Sequence, residues 1–235
     1  MVEFIGIYLI LVVGACLQCV IGFGFGLLCA PLVFFLAPEL VPGAMILNAL
    51  ALTAILTFKH IRNVHLKQTV FAIIGGTIGI LAARKVMMHI DQSEYQLLFG
   101  ASILLAVALS LVGFAPRVGR WSNLIAGITA GFMGTTTASG GAPMGLLYQS
   151  AERSHIKANL SVFFVYINLF GFIALWTAGA VGETDLKLFL EYFPAVLCGW
   201  GISHFVNRNI QEKVIRIIIL VVATFSGAFL LISSL

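Results

Sequence analysis

Apolar blocks separated by short polar punctuation run through nearly the whole chain, at 4–36, 43–58, 68–83, 95–114, 124–148, 158–180, 188–206 and 214–232. A bilayer's hydrocarbon core is about 30 Å thick and takes about 20 helical residues. Blocks of this size fit a membrane and leave too little chain between them for a soluble domain. Charge agrees: only 9% of the 235 residues are Asp, Glu, Lys or Arg, against about 25% in soluble proteins. The expectation is an all-α polytopic membrane protein whose main partner is the lipid bilayer, with no nucleic-acid partner and no cofactor. A GxxxxGK[ST] phosphate loop is missing, so the sequence gives no support for ATP-driven transport by this chain alone.

Two of the blocks are interrupted. The first contains GFGFG at 22–26, and the fifth contains GTTTASGGAP at 134–143. A helix that stops inside a bilayer exposes unpaired N–H and C=O groups, each costing several kcal/mol unless protein, water or a ligand satisfies it. Such breaks persist where they line a cavity. In the second motif Gly140 and Gly141 permit unusual dihedrals and close approach, while Thr135, Thr136, Thr137 and Ser139 offer hydroxyls. Pro143 suits the first turn of a helix starting near Ala142, whose free N–H groups and dipole would form an anion site without a buried cation. Gly22, Gly24 and Gly26 fill the same role in the first motif, with Phe23 and Phe25 as apolar wall. Close helix packing is the competing role for small residues. It remains open for GFGFG and is the only role expected of Gly75, Gly79, Gly127, Gly131 and Gly199.

The interrupted blocks are related. Gly22 and Gly134 are 112 residues apart, as are Pro31 and Pro143, and Asn48 and Asn159 are 111 apart. GTIGILAARKV (76–86) resembles VLCGWGISHFV (196–206) at an offset of 120, which Ile90 and Ile210 keep. The chain therefore reads as two copies of one unit. The first covers 1–115, with a broken-helix hairpin at 4–36 and helices at 43–60, 67–88 and 94–114. The second covers 116–235, with a hairpin at 120–150 and helices at 156–180, 187–207 and 212–234. The arm at 27–36 has ten residues, about 15 Å of helix. With two arms and three spans, each copy has an odd number of segments, so the second is inverted. This arrangement puts 10 of the 13 Lys and Arg residues on one face and 3 on the other; continuous spans in place of the hairpins split them 6 and 7. Cytoplasmic loops carry the Lys/Arg excess, which selects two inverted repeats with both termini outside the cytoplasm.

Other polar residues inside apolar blocks are Gln18, Asn48, Asn159 and Asn168. Asn48 and Asn159 stand at matched positions after each hairpin; each is placed to donate to an anion, to cap a helix or to bond a neighbouring helix. Asn168 reads as structural. No Asp or Glu sits mid-span, where it would be the default coupling residue. Coupling is therefore absent, or the substrate carries the proton, or Glu152 or a boundary histidine serves. His60, His65, His89, His155 and His204 lie at block ends without metal-ligand spacing. The four cysteines, Cys16, Cys19, Cys29 and Cys198, are in apolar stretches and suit packing better than a disulfide framework.

With GFGFGLLCAPL early, a second hairpin ending in GGAP and a repeat of about 110 residues, the chain resembles the sulfite exporter TauE/SafE family, also called the toluene sulfonate uptake permease family. The resemblance implies transport of sulfur-containing anions such as sulfite, sulfonates and sulfoacetate across the bacterial inner (plasma) membrane. It places Gly22, Gly24, Gly26 and Pro31 of the first hairpin, and Gly140, Gly141 and Pro143 of the second, at the substrate. The expected function is a secondary transporter or facilitator of a small sulfur oxyanion by alternating access, without enzymatic activity, with a coupling proton or cation as a second partner. The alternatives are a thiol-handling membrane subunit and an anion channel. Direction and oligomeric state are not legible.

Overall fold

The computed structural model describes residues 2–22, 24–60, 66–111, 116–148, 153–206 and 212–233. Among these residues the protein is entirely helical. In chain order the helices are α1 (Val2–Ile21), α2 (Phe25–Leu36), α3 (Gly43–His60), α4 (Leu66–Met87), α5 (Gln92–Leu111), α6 (Arg120–Thr137), α7 (Gly141–Leu147), α8 (Arg153–Thr177), α9 (Glu183–Ser203) and α10 (Glu212–Ser233), with one 3-10 turn at Pro38–Leu40. Four segments, Glu3–Ile21, Thr69–Met87, Gln92–Leu111 and Asn159–Thr177, are long and apolar enough to cross a membrane. Only 28–44% of these spans is buried inside the protein. Their outward faces therefore carry apolar side chains such as Leu9, Val13, Ile74, Ile78 and Leu105, which suits hydrocarbon and not water.

The two interrupted blocks each fold back on themselves. Along α1 and α2, Gly6 faces Leu36 and Gly14 faces Cys29 and Phe25, and the Cys29 thiol donates to the Ile10 carbonyl at 3.4 Å. Along α6 and α7, the Tyr148 hydroxyl bonds Asn123 Oδ1 at 2.6 Å, and Gly140 packs on Ala130 and Gly134. The arms are unequal. At 20 and 18 residues, α1 and α6 are about 30 and 27 Å long, whereas α2 and α7, at 12 and 7 residues, reach about 18 and 10 Å.

Glycines set the other close pairings. Gly75 and Gly79 of α4 lie against the Leu124 and Ile128 carbonyls of α6, and Gly127 and Gly131 of α6 lie against Ala72 and Gly76 of α4. Gly199 of α9 lies against Val12 and Ala15 of α1. These are the five glycines expected to pack. In a membrane the lipid is as apolar as a leucine side chain, so helices associate by close backbone approach more than by hydrophobic exclusion. Further pairs are α3 with α8 and α9, α4 with α8, α5 with α10 and α7, and α10 with α2. A main core joins α1, α2, α3, α5, α9 and α10, with Phe34 stacked on Phe99 at 4.4 Å. A smaller core around Phe163 and Met144 holds α4, α6, α7 and α8.

Gly201 of α9 provides a contrast, because nothing lies within 4 Å of where its Cβ would be. Gly201→Ala is expected to leave the fold intact and to raise stability by about 0.5–1 kcal/mol through helix propensity alone. Thermal unfolding in detergent measures this, and a loss of stability would be the contrary result.

Candidate functional site

The first break begins where α1 ends, with the Gly22 amide donating to the Gln18 carbonyl at 2.8 Å. Gly22 and Gly24 have φ of 103° and 114°, a region that residues with a Cβ rarely adopt. These two dihedrals let the chain reverse. Helix α2 starts at Phe25, whose amide donates to Gln18 Oε1 at 3.0 Å. A buried carboxamide from the preceding helix thus satisfies one of the first-turn amides, which have no intrahelical acceptor. The Leu28 amide reaches the Gly24 carbonyl at 3.0 Å. Between them, the amides of Gly26 and Leu27 complete the first turn. Further along, Pro31 lies inside α2; its missing N–H leaves the Leu27 carbonyl without an intrahelical donor.

The second break lies later than the glycine spacing suggested. An offset of 112 pairs Gly22 with Gly134, yet Gly134, Thr135, Thr136 and Thr137 all belong to α6. The threonines are accommodated because their hydroxyls turn back onto the helix. Thr136 Oγ1 donates to the Phe132 carbonyl at 2.9 Å and Thr137 Oγ1 to the Met133 carbonyl at 2.7 Å. Thr135 Oγ1 is buried without a partner, 2.8 Å from where a Cβ on Gly171 of α8 would be. The helix ends at Ala138 in the left-handed region, φ 56°, and α7 begins at Gly141 with Pro143 in its first turn. Because α7 has only seven residues, the 12-residue α2 offers the longer stack of aligned peptide dipoles at a break.

The two breaks touch. Ser139 Oγ donates to the Gly26 carbonyl at 3.0 Å. A Cβ on Gly26 would overlap the Ala138 carbonyl oxygen and press on Ser139 Cα. Beside this junction is a small, partly open cavity of about 30 Å³. Gly24, Gly26, Gly140 and Gly141 line it from the breaks, Ala49 and Thr53 from α3, and Phe164, Ile167 and Asn168 from α8. Gln18 completes its polar wall. Thr53 Oγ1 gives its proton to the Ala49 carbonyl at 2.7 Å. Asn168 is 7% exposed, lines the cavity and makes no side-chain hydrogen bond among the described residues. Among the described residues, the lining contains no charged side chain.

Of the residues singled out from sequence, Gly24, Gly26, Gly140 and Gly141 meet at this cavity. Gly22 and Ser139 belong to the breaks beside it. Pro31 and Pro143 are buried within α2 and α7. Thr135, Thr136 and Thr137 are in α6 and are not among the lining residues, although Ala138, next to Thr137, is. Asn48 donates through Nδ2 to the Ala44 carbonyl at 2.9 Å, and its Oδ1 is buried without a partner next to the lining residue Ala49. Asn159 is buried in α8, five positions before Phe164. Gln18 and Asn168 stand out in the sequence as polar residues in apolar blocks, without a site role and with Asn168 reading as structural, and Thr53 does not stand out at all.

Membrane-length apolar helices, with two chain breaks meeting beside a small cavity whose described lining is uncharged, define a polytopic membrane protein. The family model for the sulfite exporter TauE/SafE family matches residues 7–230, and the chain belongs to that family, a transporter family. No curated protein and no solved structure gave a significant match.

Proposed function

We propose that the protein is a secondary transporter or facilitator of a small sulfur oxyanion, such as sulfite or a sulfonate, across the bacterial inner membrane. The observation that carries this reading is the cavity bounded by both chain breaks. There the Gly26 and Leu27 amides in the first turn of α2 offer donors to an anion, and Gln18 and Asn168 add carboxamides. The mechanism is alternating access. The two halves are inverted repeats, both termini lie outside the cytoplasm, and the hairpins move against the remaining helices so that the cavity faces one side at a time. The contacts support two related halves, and the charge distribution supports their inversion. Exchanging α1 to α5 for α6 to α10 carries the α1–α9 contact onto α6–α4, α3–α9 onto α8–α4 and α2–α10 onto α7–α5. The Lys/Arg distribution, 10 on one face and 3 on the other, follows the positive-inside rule.

The test is flux of labelled sulfite in proteoliposomes, read for wild type, for Gly141→Leu and for a variant with all four cysteines replaced. Saturable flux in wild type is expected. Gly141→Leu, which fills the cavity, should lower it more than tenfold while insertion stays normal, and the cysteine-free variant should transport as wild type does. Non-saturating conductance would favour a channel, and loss of all activity without cysteines would favour thiol chemistry. Membrane-impermeant labelling of the termini in intact cells tests the orientation; protection of the N-terminus would contradict the inversion.

A further inference from the structure

We infer that the cavity selects singly charged oxyanions over doubly charged ones, and that Gln18 and Asn168 are the side chains that read the solute. The inference rests on the cavity being the anion site proposed above. Its basis is the chemistry of the wall. Gln18 comes from α1 and Asn168 from α8, one from each half of the chain, and both line the cavity. The orientation of the Gln18 amide is set by its partner: Oε1 accepts from the Phe25 amide, so Nε2 and its two protons remain for the solute. Asn168, 93% buried by its 7% exposure, has no hydrogen-bond partner among the described residues. A carboxamide open to a cavity is satisfied by water or by a solute with several acceptor oxygens.

Charge decides the rest. The polar groups at the cavity are carboxamides, peptide amides and the Thr53 hydroxyl, whose proton is already given to the Ala49 carbonyl. The cost of taking an ion out of water grows with the square of its charge, roughly four times more for a dianion than for a monoanion of equal size. Attraction to neutral donors grows only in proportion to charge. With no cation among the described residues of the wall, the second charge adds more penalty than attraction. A sulfonate carries one charge, and so does hydrogen sulfite; sulfate and sulfoacetate carry two.

The test uses methanesulfonate and sulfate, which are similar in size and hold their charges across the neutral range. Binding of each to the purified full chain and flux of each into proteoliposomes are measured for wild type, Asn168→Leu and Asn168→Lys. Wild type is expected to bind methanesulfonate at least tenfold more tightly than sulfate. Asn168→Leu should weaken methanesulfonate at least tenfold, and Asn168→Lys, which adds a cation, should shift the preference toward sulfate. Equal binding of the two anions by wild type, or unchanged methanesulfonate binding in Asn168→Leu, would overturn the inference while leaving an anion site in place. If wild type binds and moves neither anion nor sulfite, the anion reading of the cavity fails and this inference with it.

Discussion

Gly26→Ala is expected to abolish transport while leaving the chain inserted in the membrane. The added methyl would overlap the Ala138 carbonyl oxygen and crowd Ser139 Cα. The obstruction is backbone on both sides, so no side-chain rotation relieves it. The breaks must separate, and the Ser139 hydroxyl then loses the Gly26 carbonyl. Overpacking against a rigid wall costs about 3 kcal/mol or more, which reduces the population of the joined state by roughly a hundredfold. Proteoliposome flux reads the loss, and cysteine cross-linking between the two breaks reads the separation. Wild-type flux in Gly26→Ala would mean that this junction is not part of the transport cycle.

The second large effect is on assembly. Gly79→Leu places a branched side chain where α4 meets the Ile128 carbonyl and the Phe132 amide of α6. Gly75, Gly127 and Gly131 repeat this contact along the same seam, so both helices have to move apart over several turns. Close approach is what holds helices together in lipid, and the expected loss is about 3 kcal/mol or more of stability, seen as a fall in folded yield and in the unfolding midpoint in detergent. Gly201→Ala, placed where nothing is near, is the control. Equal tolerance of the two substitutions would show that the α4–α6 seam does not govern folding.

Legibility of the site varied with the kind of residue. Glycines at the breaks were readable because a bare backbone inside an apolar block has few uses. The threonines took a different place from the one their hydroxyls suggest. Hydroxyls next to a break suggest a polar lining, but Thr136 and Thr137 bond to carbonyls four residues earlier and thereby prolong α6 to Thr137. That local bond competes with any ligand, and a sequence does not reveal which wins. Asn168 shows the reverse. Read alone it resembles an ordinary interhelical hydrogen bond, yet it lines a cavity and has no hydrogen-bond partner among the described residues.

The sequence by itself determined that this is an all-helical membrane protein of the TauE/SafE family with two interrupted apolar blocks. Block length, scarcity of charge and glycine-rich motifs follow from the bilayer, and a solvent of known thickness can be read residue by residue. Only the tertiary structure decided that Ser139 meets Gly26 across 113 positions and that Gln18, Thr53 and Asn168 share a cavity. Those relations depend on how each helix is rotated about its axis. Backbone contacts of glycine and packing between distant segments set that rotation, and both are made across space rather than along the chain.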